Sequence, residues 1–185
     1  MTFPTPFLGL CCAALLAAGP APLDKPASSL GPVILQTYAE GTFFHLKTTA
    51  TTAELPARMQ QLVPVLMKSL AQGQIGTLGP LHVVFHGLTS DPAKTFDLEI
   101  GVLVPKGTPA AGECQVRTLP AFTCASTVFT GSFTQVGTAY AALFPALAAG
   151  GRVSNGEFRQ MVFFYEGLAS TNNALLVQVG LQPMK

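Results

Sequence analysis

A large part of this chain consists of one pattern that occurs twice. Residues 53–105 align with residues 131–183 at a constant offset, and the clearest match sets LEIGVLVP, beginning at Leu98, beside LVQVGLQP, beginning at Leu176. Two copies are too few to bury the core of a solenoid, which stacks several repeats. The repeat therefore predicts one closed domain of two similar units. A groove where such units meet is a common binding place for small ligands.

The same order of elements is predicted in both units: strand, helix, strand, strand. In the first unit, alternating apolar residues predict a first strand region at 33–38 and 42–49, with a kink or bulge at Glu40 and Gly41, and two further strands at 81–86 and 96–104. Apolar residues at helical spacing predict a helix from Leu55 to Leu70. In the second unit, predicted strands at 115–119, 122–129, 160–166 and 174–181 surround a helix that begins near Ser132 and ends before Gly150. We therefore predict an α+β fold of two pseudo-symmetric βαββ units, about residues 33–105 and 114–183, with antiparallel sheets and a ligand cleft between the halves.

Both predicted helices have a start signal. Thr51 and Glu54 have the spacing of a capping box, and Ser132 and Gln135 repeat it in the second unit. Pro64 lies well inside the first helix and is expected to kink it or to delay its regular start.

The first residues of the chain are typical of an export signal. An uncharged apolar run at 7–18 has the length of a signal-peptide core and is shorter than the roughly 20 residues that cross a bilayer as a helix. We expect a signal peptide at 1–22, a tether at 23–31 rich in Pro, Ser and Ala, a domain at 32–185 and a location outside the cytoplasm, periplasmic or secreted. No transmembrane span is expected after the leader is removed. Lipid attachment at Cys11 or Cys12 is an alternative.

Two cysteines belong to the predicted domain. A hairpin centred on Leu119 would place Cys114 opposite Cys124, and an oxidising compartment would then allow a disulfide between them. Two small buried thiols are the alternative.

Composition excludes several classes of function. Only 10% of the residues are charged, the net charge is +1 and no run of Lys or Arg occurs, so we expect no nucleic-acid partner. His82 and His86 would lie about 13 Å apart along a strand, too far for one metal ion. No phosphate-binding loop or dinucleotide fingerprint is present, so no cofactor is expected.

The candidate ligand-binding residues are aromatic and acidic. Carboxylates among aromatic rings bind cations well when they are shielded from water, and tyrosine hydroxyls offer polar contacts at the rim of a pocket. The aromatic candidates are Tyr38, Phe43, Phe85, Tyr140, Phe163 and Tyr165, and the acidic ones are Glu99 and Glu166. The alternatives are that the aromatic residues fill the core and that the two acids face solvent.

Three stretches carry a resemblance to a known family: FDLEIGV from Phe96, LPA from Leu119 with TGSF after it from Thr130, and the closing hairpin from Phe163 to Val179. They resemble the GyrI-like family, the bacterial transcription-activator effector-binding domain, over nearly all of the predicted domain. The resemblance implies a hydrophobic cleft for amphipathic, often cationic, small molecules. Members of the family serve as drug-sensing regulators, as stand-alone protective proteins and occasionally as hydrolases. Cation-binding members use a buried glutamate on the strand that here runs through 160–163, and this chain has Gln160 near that position.

The expected function is to bind or sequester a small amphipathic molecule in an aromatic cleft outside the cytoplasm. We expect a binding protein rather than an enzyme. One alternative is a hydrolase in which Glu99 or Glu166 activates water and a tyrosine acts as the acid. Another alternative is an envelope protein that docks a partner through its neutral surface.

Overall fold

The computed structural model describes residues 28–89 and 91–183. Within these ranges the chain forms nine β-strands, two α-helices and a short 3-10 helix. Their bounds are β1 Ser28–Leu30, β2 Ile34–Tyr38, β3 Gly41–Ala50, α1 Leu55–Gln72, β4 Leu81–His86, β5 Phe96–Val104, β6 Gln115–Leu119, β7 Phe122–Gly131, the 3-10 helix Phe133–Gln135, α2 Gly137–Ala149, β8 Ser154–Phe164 and β9 Ala174–Leu181. The predicted signal peptide at 1–22 lies outside the described residues. Ser28–Leu30, at the end of the predicted tether, forms β1 and pairs with β7.

The order strand, helix, strand, strand occurs twice, as predicted, and all strand pairs are antiparallel. In the first unit β5 lies between β3 and β4, and in the second unit β9 lies between β7 and β8. The two units meet where β4 pairs with β8 and again where β2 and β3 pair with β7 and β6. The α+β class is therefore confirmed, whereas the pseudo-symmetry of the two units stays a prediction.

The sheet closes on itself through two long strands. β2 and β3 follow each other as one long strand, and β6 and β7 follow each other as a second. The two long strands pair with each other in one register, from Ile34↔Ser126 to His45↔Gln115. The predicted hairpin between β6 and β7 is therefore wrong, because β6 pairs with β3 and the chain continues into β7 through Pro120. Cys114 and Cys124 do not face each other, and both are free, buried thiols.

The outer face of the sheet, on which both helices pack, carries the main apolar core. Alternate residues of each strand point to this face, and they include Phe44, Val83, Leu98 and Val177. The helices contribute Leu66, Leu70, Ala139, Leu143 and Leu147 to the same cluster. Each fully buried Leu or Phe side chain stabilises the fold by about 1.5–3 kcal/mol.

The inner face of the sheet, which points away from the helices, has a buried centre that is largely polar. Its apolar part is a small cluster of Phe43, Val84 and Leu119. Buried polar side chains surround this cluster: His45, His82, Glu99, Arg159 and Gln178. A charged side chain is rarely buried unless it is paired, so this face depends on hydrogen bonds and ion pairs.

The ends of the helices follow the predicted signals only in part. Thr51 and Glu54 form the reciprocal bonds of a capping box just before α1, with the Thr51 amide donating to Glu54 Oε2 at 2.8 Å. α1 then runs through Pro64 as one helix. Before α2, the Ser132 hydroxyl accepts a bond from the Thr134 amide, and Gln135 does not complete the box. Neither described helix combines the length and apolar character that crossing a bilayer requires.

Candidate functional site

A cavity of about 460 Å³ lies between the start of α1 and the start of α2. Its floor is formed by β4, β5 and β8, so residues of both repeat units contribute to it. The volume is within the usual range for small-molecule sites. The lining residues are Thr52, Leu55, Pro56, Met59, Val83, Phe85, Leu88, Thr89, Phe96, Phe133, Thr134, Val136, Gly137, Tyr140, Gln160 and Leu168.

Local geometry brings these side chains together. Leu55 and Met59 are four residues apart and share one face of α1, and Val83 and Phe85 are alternate residues of β4. The rings of Phe85 and Phe96 meet edge to face, with their centroids 5.7 Å apart. The cavity is therefore built by the same periodicity that builds the outer-face core.

The polar centre of the cavity is a pair of side chains from β8 and α2. The Gln160 amide nitrogen donates a hydrogen bond to the Tyr140 hydroxyl oxygen at 3.1 Å. Burial raises the pKa of the Tyr140 hydroxyl, and the bond from Gln160 offsets only part of that effect. Tyr140 is thus a neutral phenol across the physiological pH range, with its ring packed edge to face on Phe158 at 5.6 Å.

The lining carries no formal charge. Among the described residues that form it, none is Asp, Glu, Lys, Arg or His. The other polar groups, besides Tyr140 and Gln160, are the side chains of Thr52, Thr89 and Thr134. The cavity is therefore suited to apolar surface with a small number of hydrogen bonds.

The segment after β8 shapes one wall of the cavity. The Leu168 carbonyl accepts bonds from the Phe133 amide at 3.0 Å and from the Ser132 hydroxyl at 2.9 Å. Tyr165 packs edge to face on Phe133 with ring centroids 5.5 Å apart. Leu168 and Phe133 are thereby held together beside the start of α2.

Phe85 and Tyr140 are the two predicted ligand-binding residues that line the cavity. The other six lie outside its lining. Tyr38, Phe43 and Glu99 belong to the inner face, and Phe163, Tyr165 and Glu166 lie at and beyond the end of β8, where their side chains are largely exposed. The Glu166 carboxylate accepts hydrogen bonds from the Ser170 hydroxyl and from the Asn172 amide group.

Glu99 is held in an ion pair rather than in the cavity. It is only 5% exposed, and the Arg117 side chain donates to its Oε2 through Nε, at 3.1 Å, and through Nη2. The Arg117 guanidinium also lies over the Phe43 ring, 5.4 Å from its centroid. Glu99 and Phe43 therefore stabilise the inner face, and they are separated from the cavity by the sheet.

A second group of polar residues on the inner face surrounds Arg159. Arg159 donates to Glu157 at 2.6 Å and lies over the Phe122 ring at 3.7 Å. Its Nη2 atom and both ring nitrogens of His82 are buried without a hydrogen-bond partner among the described residues. Burial, together with the positive charge of Arg159 as the smaller effect, lowers the pKa of His82 to about 4. His82 is consequently neutral at pH 7.

Several lining residues were not among the predicted binding residues. Met59 and Phe133 lie at helical spacing with apolar neighbours, which is also the pattern of core residues. Val83 lies in the apolar run Val83 to Phe85, and Phe96 lies between two polar residues, and both are patterns that any buried or half-buried strand has. Gln160 did carry a signal, because it stands in an apolar strand near the position of the glutamate expected from the family resemblance.

No protein-family model matches this chain, and no curated protein sequence does either. Among solved structures, it is similar to the C-terminal domain of EcmrR, with a TM-score of 0.69 and 13% identity over 83% of this chain and 98% of that domain. In a complex of EcmrR with DNA, the match spans 59% of the EcmrR chain and 85% of this chain, with a TM-score of 0.70 and 12% identity.

Two further structures of other proteins are similar over most of their length. SAV2435 bound to tetraphenylphosphonium matches with a TM-score of 0.59 and 12% identity over 82% of this chain and 94% of that chain. A hydrolase from Listeria innocua matches with a TM-score of 0.57 and 9% identity over 81% of this chain and 91% of that chain. Identities this low show a shared fold and no more.

Proposed function

We propose that this chain, which has the GyrI-like effector-binding fold, binds a small amphipathic molecule in the cavity between α1 and α2. The observation that carries the proposal is the cavity itself, about 460 Å³ of mainly apolar space with one hydrogen-bonded polar pair, Tyr140 and Gln160. Apolar walls with a few placed polar groups are the usual composition of a ligand site.

The size of the cavity supports useful affinity. A ligand that buries about 200 Å² of apolar surface gains about 5 kcal/mol from removal of that surface from water. The loss of translational and rotational freedom opposes this gain, and hydrogen bonds from the polar pair add to it. Similarity to SAV2435, whose structure contains bound tetraphenylphosphonium, also supports a ligand-binding role.

Binding without turnover is favoured over hydrolysis. A general base must lie within hydrogen-bond reach of the group that it activates. The two acids considered as bases, Glu99 and Glu166, lie outside the cavity lining, and each carboxylate is already bonded to other side chains.

The test is to fill the cavity and to measure ligand binding by calorimetry and thermal shift. Met59→Trp places an indole in the cavity wall, and Met67→Trp is its matched control because Met67 lies on the same helix, is exposed and is not in the lining. With triphenylphosphine oxide as the probe, wild type and Met67→Trp should bind and be stabilised. Met59→Trp should lose most of the affinity. Equal binding by all three proteins would contradict the proposal.

We also propose that the protein acts outside the cytoplasm, on the basis of the apolar run at 7–18. Mass spectrometry of the protein from the native host should then find a processed N terminus near residue 23 in the envelope or the medium. An intact Met1 on protein from the cytosol would contradict export.

A further inference from the structure

We infer that the ligand of this cavity is uncharged and carries a hydrogen-bond acceptor, such as a carbonyl or phosphoryl oxygen, that binds at the Tyr140 hydroxyl. This inference rests on the proposed function. It assigns the Tyr140 and Gln160 pair as the polar subsite of the cavity and names the class of molecule that the subsite selects.

The first argument concerns hydrogen-bond capacity. A tyrosine hydroxyl has one proton to donate and two lone pairs. The bond from Gln160 occupies one lone pair, so the proton of Tyr140 is still available for a ligand. If the oxygen and nitrogen of the Gln160 side-chain amide exchange positions, Tyr140 becomes the donor within the pair and the amide N–H groups are left for the ligand. In both arrangements the pair keeps a donor that is not used within the pair.

The second argument concerns burial. The subsite is shielded from water, and Gln160 is only 5% exposed. A buried donor that lacks a partner costs free energy, so a ligand with an acceptor at this point gains more than an apolar ligand of equal size. Such sites discriminate strongly between ligands that do and do not complete the bond.

The third argument concerns charge. A cation that enters the cavity loses its hydration, and among the described lining residues there is no carboxylate to replace it. Glu99, a nearby buried acid, lies on the other face of the sheet and is neutralised by Arg117. Cation–π contacts with the lining rings of Phe85, Phe96, Phe133 and Tyr140 recover only part of the lost hydration. An anion is disfavoured in the same way, because no Lys or Arg is among the described residues of the lining.

The experiment compares three probes of nearly the same shape: triphenylphosphine oxide, methyltriphenylphosphonium and 1,1,1-triphenylethane. Each has three phenyl rings on one central atom, and the fourth substituent is an oxygen acceptor on neutral phosphorus, a methyl group on cationic phosphorus or a methyl group on neutral carbon. We expect wild-type protein to bind the oxide at least tenfold more tightly than either of the other probes. Equal affinity for the phosphonium and the oxide would overturn the inference.

Single substitutions test whether the Tyr140 hydroxyl is the group that selects the oxide. Tyr140→Phe should weaken binding of the oxide by about tenfold, the size of one lost hydrogen bond, and leave the affinity for triphenylethane unchanged. Tyr165→Phe, which removes a hydroxyl outside the cavity lining, is the matched control and should change nothing. Gln160→Glu should raise the affinity for the phosphonium, because it adds the missing counter-charge. Unchanged oxide binding in Tyr140→Phe would overturn the inference even if Gln160→Glu fails to fold.

Failure of this inference is distinguishable from failure of the proposed function. If none of the three probes binds wild type, or if Met59→Trp binds them as wild type does, the cavity is not the ligand site. If the probes bind in the cavity without preference for the oxide, the proposed function stands and the assignment of an uncharged, acceptor-bearing ligand is wrong.

Discussion

Arg117 on β6 holds the buried carboxylate of Glu99 on β5 across the inner side of β3, which lies between these two strands. The Glu99 side chain is 7% exposed and that of Arg117 is 30% exposed. A neighbouring pair, Lys47 and Asp97, has an N–O distance of 3.1 Å, but both side chains are about half exposed. The two pairs thus allow a comparison of buried and exposed ion pairs within one sheet.

Arg117→Met is expected to destabilise the fold by about 3 kcal/mol, because it leaves the Glu99 carboxylate buried without a counter-charge. Lys47→Met should cost no more than about 1 kcal/mol, since water already screens that pair. Urea unfolding at pH 7 measures both changes. Equal losses in the two variants would show that Glu99 does not depend on Arg117.

The stability of the protein should fall in mild acid because of His82. The folded protein keeps this imidazole neutral down to about pH 4, whereas the unfolded chain takes up the proton near pH 6.5. The contribution of neutral His82 to the free energy of unfolding is therefore fully present above pH 6.5. It is lost as the pH falls from 6.5 to 4, by about 3 kcal/mol in total. His45, whose pKa is also lowered, mainly by burial, adds to the loss.

The check is urea unfolding of wild type and His82→Phe at several pH values. His82→Phe removes the titrating group and its two unpartnered nitrogens from a position beside Phe43. Its free energy of unfolding should decline less between pH 6.5 and 4 than that of wild type. Parallel declines would mean that folding does not lower the pKa of His82.

Cys114 and Cys124 should be found as slow-reacting thiols and not as a disulfide. Burial raises the pKa of the Cys124 thiol to about 11, so little thiolate is present at pH 8. Cys114 belongs to the outer-face core, whereas Cys124 contacts Gln178 on the inner face. Maleimide labelling should be much slower in folded than in unfolded protein. Trypsin cleaves after Arg117 and so places the two cysteines in different peptides. If digestion without a reducing agent gives the Cys114 peptide linked to the Cys124 peptide, this account is contradicted.

Much of the strand layout could be predicted from local pattern. The bounds predicted at 81–86, 96–104, 115–119 and 174–181 are those of β4, β5, β6 and β9, because turn residues flank alternating apolar residues there. The strand predicted at 160–166 is β8, which begins at Ser154 and ends at Phe164. The early start is missed because Ser154, Asn155 and Gly156 are typical of a turn. In the structure a bulge accommodates them, and Asn155 Oδ1 accepts a bond from the Glu157 amide at 2.9 Å.

The site itself depends on contacts that no local pattern specifies. Met59 has the spacing of a core residue, and only the separation of α1 from α2 makes it a cavity wall. Glu99 was a candidate because it is an acid on an apolar strand, but its partner Arg117 belongs to a strand that is not its neighbour. The fold class thus follows from periodicity within segments, whereas the site follows from how the helices sit on the sheet.

The most direct test of the account is a crystal structure of the protein with triphenylphosphine oxide. We predict density for the probe between α1 and α2, with its oxygen about 2.7–2.8 Å from the Tyr140 hydroxyl oxygen. Density for the probe elsewhere on the protein, or a cavity closed by Met59 and Phe133, would contradict the central claim that this cavity is the ligand site.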